Sequence, residues 1–178
     1  MKALVLGLTL FRIFSGPILF LLVIFFQANL IAFFIFVIAS ITDYLDGKLA
    51  RDYKVESLLG AILDPIADKI LVLFALFAIT FATKDPFVGS MSTLILAREF
   101  WVSALREYAA QHSLSYATKV TFLAKTKTSI QFLALALFFL GFSLDNALMI
   151  FLASFILFLA LLISMKTAID YSAKVFKV

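Results

Sequence analysis

A chain of 178 residues that is 64% hydrophobic, with a mean hydropathy of +1.12, is too apolar for a water-soluble domain, whose apolar share lies nearer one half, and is expected to be an integral membrane protein. The absence of cysteine and the single histidine exclude disulfides, thiolate nucleophiles, iron–sulfur clusters, Cys-based zinc sites and any histidine-rich metal site. The formal net charge of +4 is expected to reflect Lys and Arg collected at one membrane face, and no aromatic-and-basic interleaving marks a nucleic-acid partner.

The first predicted span runs from about Leu4 to Phe26, interrupted by Arg12, Ser15, Gly16 and Pro17. No small-residue cleavage signal follows it, so it is read as a retained span. Arg12 lies too deep to be an ordinary flanking charge; it either snorkels to the near interface or serves the acidic site described below. A turn at Gln27, Ala28 and Asn29 leads to a second span from Leu30 through Ser40 into Thr42 and Asp43, and the polar stretch from Gly47 to Ser57 is where that span surfaces. The third, from about Leu58 to Thr83, is about 39 Å long as a helix and exceeds a hydrocarbon core of about 30 Å. Pro65 removes a backbone donor near its start and is expected to bend or loosen it between Asp64 and Asp68.

Lys84, Asp85 and Pro86 turn the chain into a fourth span, from about Val88 to Gln111, which carries Arg98, Glu99, Arg106 and Glu107. Glu99 and Arg106 are seven residues apart and share a face, so a structural ion pair inside the bundle stands beside any functional reading of these charges. His112 to Lys127 is polar and holds Lys119, Lys125 and Lys127; His112 is expected in an exposed loop, with no chemistry. The fifth and sixth spans run from Thr128 to Phe142 and from Ala147 to about Met165, joined at Ser143, Asp145 and Asn146. No internal repeat, low-complexity tract or linker divides the chain, so residues 1–178 are read as a single domain.

Charge sidedness tests this six-span order. If both termini lie on one side, that side and its adjoining span ends receive every Lys and Arg except Lys84. Cytoplasmic segments accumulate these residues, so the expected fold is an all-α polytopic bundle of six transmembrane helices with both termini cytoplasmic. Arg98 follows Pro86 by a dozen residues, about 18 Å of helix, and a guanidinium so deep is expected to meet an anion or a carboxylate.

The same order gathers Asp43, Asp46, Asp64 and Asp68 in the cytoplasmic third of the membrane. A carboxylate there is costly, by about 2.5–3.5 kcal/mol for a central Asp, and marks a functional site by default. Asp43 and Asp46 are three apart and Asp64 and Asp68 four apart, so each pair projects from one helix face. Two such faces turned together make a ring of hard oxygens suited to divalent cations. A cation channel or transporter is one class of protein that uses such a ring.

Written out, the pattern is Asp43, two residues, Asp46-Gly47, two residues, Ala50-Arg51, eight residues, Gly60, three residues, Asp64, three residues, Asp68. It resembles the complete signature of the CDP-alcohol phosphotransferases, integral membrane enzymes that transfer a phosphatidyl or related group from a CDP-linked donor to an alcohol. The resemblance implies that Asp43, Asp46, Asp64 and Asp68 bind Mg2+ or Mn2+, as two ions, and that Asp68 is also the general base. It implies a CDP site at Asp46, Gly47, Ala50, Arg51 and Gly60. Small residues there let a nucleotide approach the backbone, and the planar fork of Arg51 suits the donor phosphates. For the small residues taken alone, helix packing is the alternative.

Outside the signature, LTLFRI at 8–13, LAREFWVSALRE at 96–107 and LAKTKTSIQ at 123–131 resemble the phosphatidylglycerophosphate synthase branch of bacteria. That branch joins CDP-diacylglycerol to glycerol 3-phosphate, and the basic set Arg98, Arg106, Lys125 and Lys127 is then expected to hold the acceptor phosphate. Lys119 is expected at the membrane surface instead. Other acceptors used in the family, inositol phosphate or the phosphatidylglycerol of a cardiolipin synthase, are the alternatives. The resemblance further implies a homodimer in the bacterial inner membrane with its active site facing the cytoplasm. Many relatives carry an Asn shortly before the Leu-Thr of the first motif, where this chain has Gly7 ahead of Leu8 and Thr9.

Overall fold

The computed structural model describes residues 2–52, 58–118 and 122–176, with side chains at all of these except 2–5, 43–52, 58–59, 61, 115, 117 and 122–125. Six α-helices occur among the described residues: α1 (Lys2–Ile24), α2 (Asn29–Asp52), α3 (Leu58–Thr83), α4 (Pro86–Gln111), α5 (Phe122–Ser143) and α6 (Ala147–Phe176), with one 3-10 turn at Ser115–Thr118. Their ends are set by local chemistry. Asp85 caps α4 by accepting the Phe87 N–H at 2.8 Å, with Pro86 at the first helical position, where its missing N–H costs nothing. Asn146 accepts the Met149 N–H at 3.1 Å where α6 starts. Gln27, Lys84, Ser113 and Asp145 take left-handed φ values of 48–58° where the chain reverses. Within the helices, several hydroxyls return to carbonyls one turn back, as Ser15 does to Phe11 and Ser40 to Phe36, both at 2.7 Å, which satisfies them without water.

The side-chain contacts show how the helices run. Thr9 meets Asp64, Arg12 meets Asp68 and Phe20 meets Phe74 and Phe81, so α1 and α3 lie parallel. Phe87 meets Phe158, Arg98 meets Thr167 and Trp101 meets Ser172, so α4 and α6 are parallel too. Asn29 and Phe36 of α2 meet Phe142 and then Phe139 and Phe132 of α5, so that pair is antiparallel. Successive helices therefore alternate in direction, and the ends at Lys2, Asp52, Leu58, Gln111, Phe122 and Phe176 lie together at one end of the bundle.

The core between them is built from Leu19, Phe36, Leu71, Ile79, Ile95, Leu135, Phe138, Phe139 and Leu157. Small residues, including Ala32, Ala39, Ala67, Ala75, Ala78, Ala134 and Ala153, are fully buried and let the backbones approach. Gly16 is the sharpest case: a Cβ there would lie 3.1 Å from the Ile70 carbonyl oxygen and 3.3 Å from Phe74. The outside carries Phe14, Phe25, Phe26, Phe34, Phe81, Phe151 and Phe155, all more than half exposed, an apolar exterior that suits hydrocarbon rather than water.

Among the described residues three helical segments are long and apolar enough to cross a membrane: Leu6–Ile24, Thr126–Ser143 and Ala147–Phe176, with mean hydropathies of 2.0, 1.3 and 2.8. Asn29–Thr42 adds a shorter apolar helix. Six helices occur in the expected order, and three of them contain a segment able to span a membrane by length and composition. They differ in extent: α2 continues through Asp52, α5 begins at Phe122 and α6 reaches Phe176. Helix α3 continues through Pro65 as one element from Leu58 to Thr83.

Candidate active site

Helix α1 repeats buried positions at Thr9, Arg12, Gly16, Leu19 and Val23, a three-four spacing that keeps one stripe against α3. The tight contact at Gly16 brings the start of that stripe onto the two acids of α3. The Thr9 hydroxyl donates to Asp64 Oδ1 at 2.8 Å, and Arg12 Nη1 donates to Asp68 Oδ1 at 2.7 Å. Arg12 is fully buried, while the Asp68 side chain is 41% exposed, so the cation lies beneath the acid and the acid reaches open space. This is a charge-assisted bond that fixes the carboxylate's direction. Gly60 is buried one turn before Asp64. Of the two readings of Arg12, the structure supports service to the acidic site.

Asp43, Asp46, Gly47, Ala50 and Arg51 lie on the backbone of α2, and their side chains fall outside the described residues, as does that of Lys125 on α5; Lys119 lies outside the described residues altogether. Among the described residues no group of three or more Asp, Glu or His comes together. Asp64 and Asp68, one turn apart on α3 and both partly exposed, supply hard carboxylate oxygens, the donor type that Mg2+ and Mn2+ take.

A second charged cluster joins α4, α5 and α6. Arg98 Nε donates to the Ser164 carbonyl at 3.0 Å, its Nη2 to Thr167 Oγ1 at 2.7 Å and its Nη1 to Glu99 Oε1 at 3.2 Å. Lys127 Nζ donates to the same Glu99 oxygen. Thr167 relays the contact by donating its own hydroxyl to the Ser164 carbonyl at 2.8 Å. Side-chain exposure is 6% for Arg98, 5% for Lys127 and 24% for Glu99, so two buried cations share one anion. Arg98 meets a carboxylate, as its depth requires. Arg106 does not join Glu99; it is exposed and lies over the Tyr171 ring, 5.9 Å from its centroid, a cation–π contact. His112 caps the end of α4, stacked on Tyr108, and is exposed.

Beside Arg98, a largely apolar cavity of about 600 Å³ lies along α4 and α6, lined among others by Leu94, Trp101, Met165, Ile169 and Phe176. Trp101 closes one side by donating its indole N–H to Ser172 at 2.9 Å. Both charged clusters lie toward the same end of the bundle, the end that holds the α2–α3 and α4–α5 connections. Sequence reasoning left Thr9 and Glu99 without roles and did not reach Ser164 and Thr167. Their signal was present as polar residues on helices that otherwise bury apolar ones.

A family model described as CDP-alcohol phosphatidyltransferase matches residues 5–166. The chain is 44% identical over 144 residues to a protein of Cereibacter sphaeroides named CDP-diacylglycerol–glycerol-3-phosphate 3-phosphatidyltransferase, a match covering 78% of this chain and 64% of that protein. It is 40% identical over 133 residues to a protein of the same name from Salmonella choleraesuis, with 72% of each chain covered. A third of that name, from Rickettsia bellii, is 40% identical over 145 residues, covering 81% of this chain and 78% of the relative. The match thus spans just under two thirds of the Cereibacter protein and nearer three quarters of the other two.

Proposed function

The chain belongs to the CDP-alcohol phosphatidyltransferase family, and on that premise we propose that it transfers the phosphatidyl group of CDP-diacylglycerol to glycerol 3-phosphate, giving phosphatidylglycerol phosphate and CMP. The observation that carries the choice of acceptor is identity of about 40% to three bacterial proteins whose names state that reaction. Two clusters toward one end of the bundle support it, an acidic one on α3 and a basic one across α4 and α5. The first suits the metal-bound donor and the second an anionic acceptor.

In this reading Asp43, Asp46, Asp64 and Asp68 hold the divalent ions, Mg2+ or Mn2+ and two in number. Asp43 and Asp46 stand three residues apart on α2, the spacing of two positions that share a helix face. Such ions supply neutralisation of the pyrophosphate charge. Gly47, Ala50 and Gly60 leave room for the nucleotide, and Asp46 and Arg51 orient it. Asp68, directed by Arg12, takes the proton of the acceptor hydroxyl. The hydroxyl oxygen then attacks the lipid-side phosphorus in line, forming the new P–O bond as the bond to CMP breaks and CMP leaves with the electron pair. Arg98 and Lys127, with Lys125 and Arg106, hold the acceptor phosphate. The lipid donor arrives sideways from the bilayer and the acceptor from the cytoplasm, where the Lys-rich and Arg-rich end of the bundle is placed by the positive-inside rule. The chain is read as a homodimer of the inner membrane, as the family resemblance implies.

The test is direct. Membranes containing the protein, given CDP-diacylglycerol, glycerol 3-phosphate and Mg2+ or Mn2+, are expected to release CMP and form phosphatidylglycerol phosphate. The absence of acceptor-dependent CMP release would sink this reading, and turnover with inositol phosphate or phosphatidylglycerol alone would move the chain to another branch of the family.

A further inference from the structure

Glu99 is an acid in a place where an acid alone works against the proposed ligand. An anion beside the acceptor-phosphate cations repels a phosphate, so its presence asks for a compensating task. The geometry supplies one. Lys127 and Arg98 come from different helices and are almost fully buried, and two such like charges repel strongly where the dielectric is low. Both reach the same oxygen, Glu99 Oε1. The trio keeps a net charge of +1, and each cation has a counter-ion while no substrate is bound.

We propose that Glu99 is the positioning residue of the acceptor-phosphate site, holding Lys127 and Arg98 side by side so that their remaining N–H groups converge on one anion. This rests on the reading of those two cations as the acceptor-phosphate ligands. The donor inventory supports it. Three of the guanidinium N–H bonds go to Ser164, Thr167 and Glu99, which leaves one on each terminal nitrogen, the pair that can meet two oxygens of one phosphate. Lys127 spends one N–H on Glu99 and keeps two. Arg98 is thus locked from three sides by α4 and α6. Lys127, by contrast, is tied into the trio through Glu99, so its place depends on that carboxylate.

The test separates position from charge. Glu99→Gln keeps the shape and an acceptor oxygen but removes the anion. It is expected to raise KM for glycerol 3-phosphate about tenfold or more, the size of one charge-assisted bond, with KM for CDP-diacylglycerol unchanged and kcat largely kept. Glu99→Asp retains the charge on a shorter arm and is expected to shift the same KM in the same direction by less. An unchanged KM for glycerol 3-phosphate in Glu99→Gln protein that elutes like the wild type overturns the proposal, and so does a parallel rise in both KM values, which marks a merely structural role. If Glu99→Gln is not recovered folded, the same two outcomes are read from Glu99→Asp. A wild-type protein that does not use glycerol 3-phosphate overturns the acceptor reading and this inference with it, whereas a working wild type beside an unaltered variant overturns only the role of Glu99.

Discussion

Arg12 has no exposed surface and ends on Asp68, whose side chain is 41% exposed. A cation fixed beneath an acid holds the carboxylate in one direction, and the proposed reaction gives Asp68 the part of general base. Asp68→Asn keeps the shape and still accepts the Arg12 bond, so the protein is expected to be recovered at wild-type levels. Its CMP release at saturating substrates should fall by about 10²–10⁴-fold, the range for one acid–base group. Near-normal turnover would remove Asp68 from that role. Thr9 shows the same logic without charge: a hydroxyl on the adjacent turn of α1 donates to Asp64, so the two acids on α3 are each directed by a buried residue of α1. Asp64 and Asp68 were legible in the sequence because carboxylates stand out against hydrocarbon, whereas the side chains of Asp43 and Asp46 lie outside the described residues. Thr9 and Glu99 were harder to assign, since a hydroxyl can satisfy itself on its own helix, and a Glu next to an Arg has an obvious partner without revealing a second one on another helix.

Those contacts depend on how closely α1 and α3 approach, and two glycines of α1 test this from opposite sides. Gly16 has the Ile70 carbonyl oxygen 3.1 Å from where a Cβ would be, whereas nothing lies within 4 Å of a Cβ at Gly7. Gly16→Ala is therefore expected to push the helices apart, lowering the thermal midpoint in detergent and CMP release together. Gly7→Ala should be neutral or stabilising by about 0.5–1 kcal/mol, because alanine loses less backbone freedom in a helix. Equal melting shifts in the two variants would refute the close-contact account. The number and order of the six helices were readable from hydropathy, but their ends were not. Hydropathy reports where a chain leaves hydrocarbon, whereas a helix continues while it has a face to bury. Beyond Met165, Lys166, Asp170 and Lys174 read as solvated, yet Ala168, Tyr171 and Val175 recur at helical spacing and pack with Val102, Leu105 and Ala109 of α4, while Thr167 accepts from Arg98. That spacing was the available signal. Pro65 was expected to bend or loosen α3, and the helix runs through it as one element to Thr83, packed against α1.

Six helices of alternating direction put the Lys84 turn at one end of the bundle and His112 at the other. Among the described residues Lys84 is the only Lys or Arg at its end, and the rule that cytoplasmic segments accumulate these residues predicts that His112 and both charged clusters face the cytoplasm. The proposed reaction calls for the same orientation, since its water-soluble phosphorylated acceptor would be drawn from the cytoplasm while the donor stays in the bilayer. The chain has no cysteine, so single substitutions report without background. Lys84 and His112 are both exposed, which makes each a usable labelling position. In intact cells, Lys84→Cys is expected to react with a membrane-impermeant maleimide, and His112→Cys only after the membrane is opened. Labelling of His112→Cys from outside would invert the protein, and the basic cluster on α4 and α5 would then meet no cytoplasmic acceptor. Orientation, acceptor charge and the buried Arg98–Glu99–Lys127 trio are therefore one linked claim, and the labelling experiment tests it at the scale of the whole molecule without requiring any turnover.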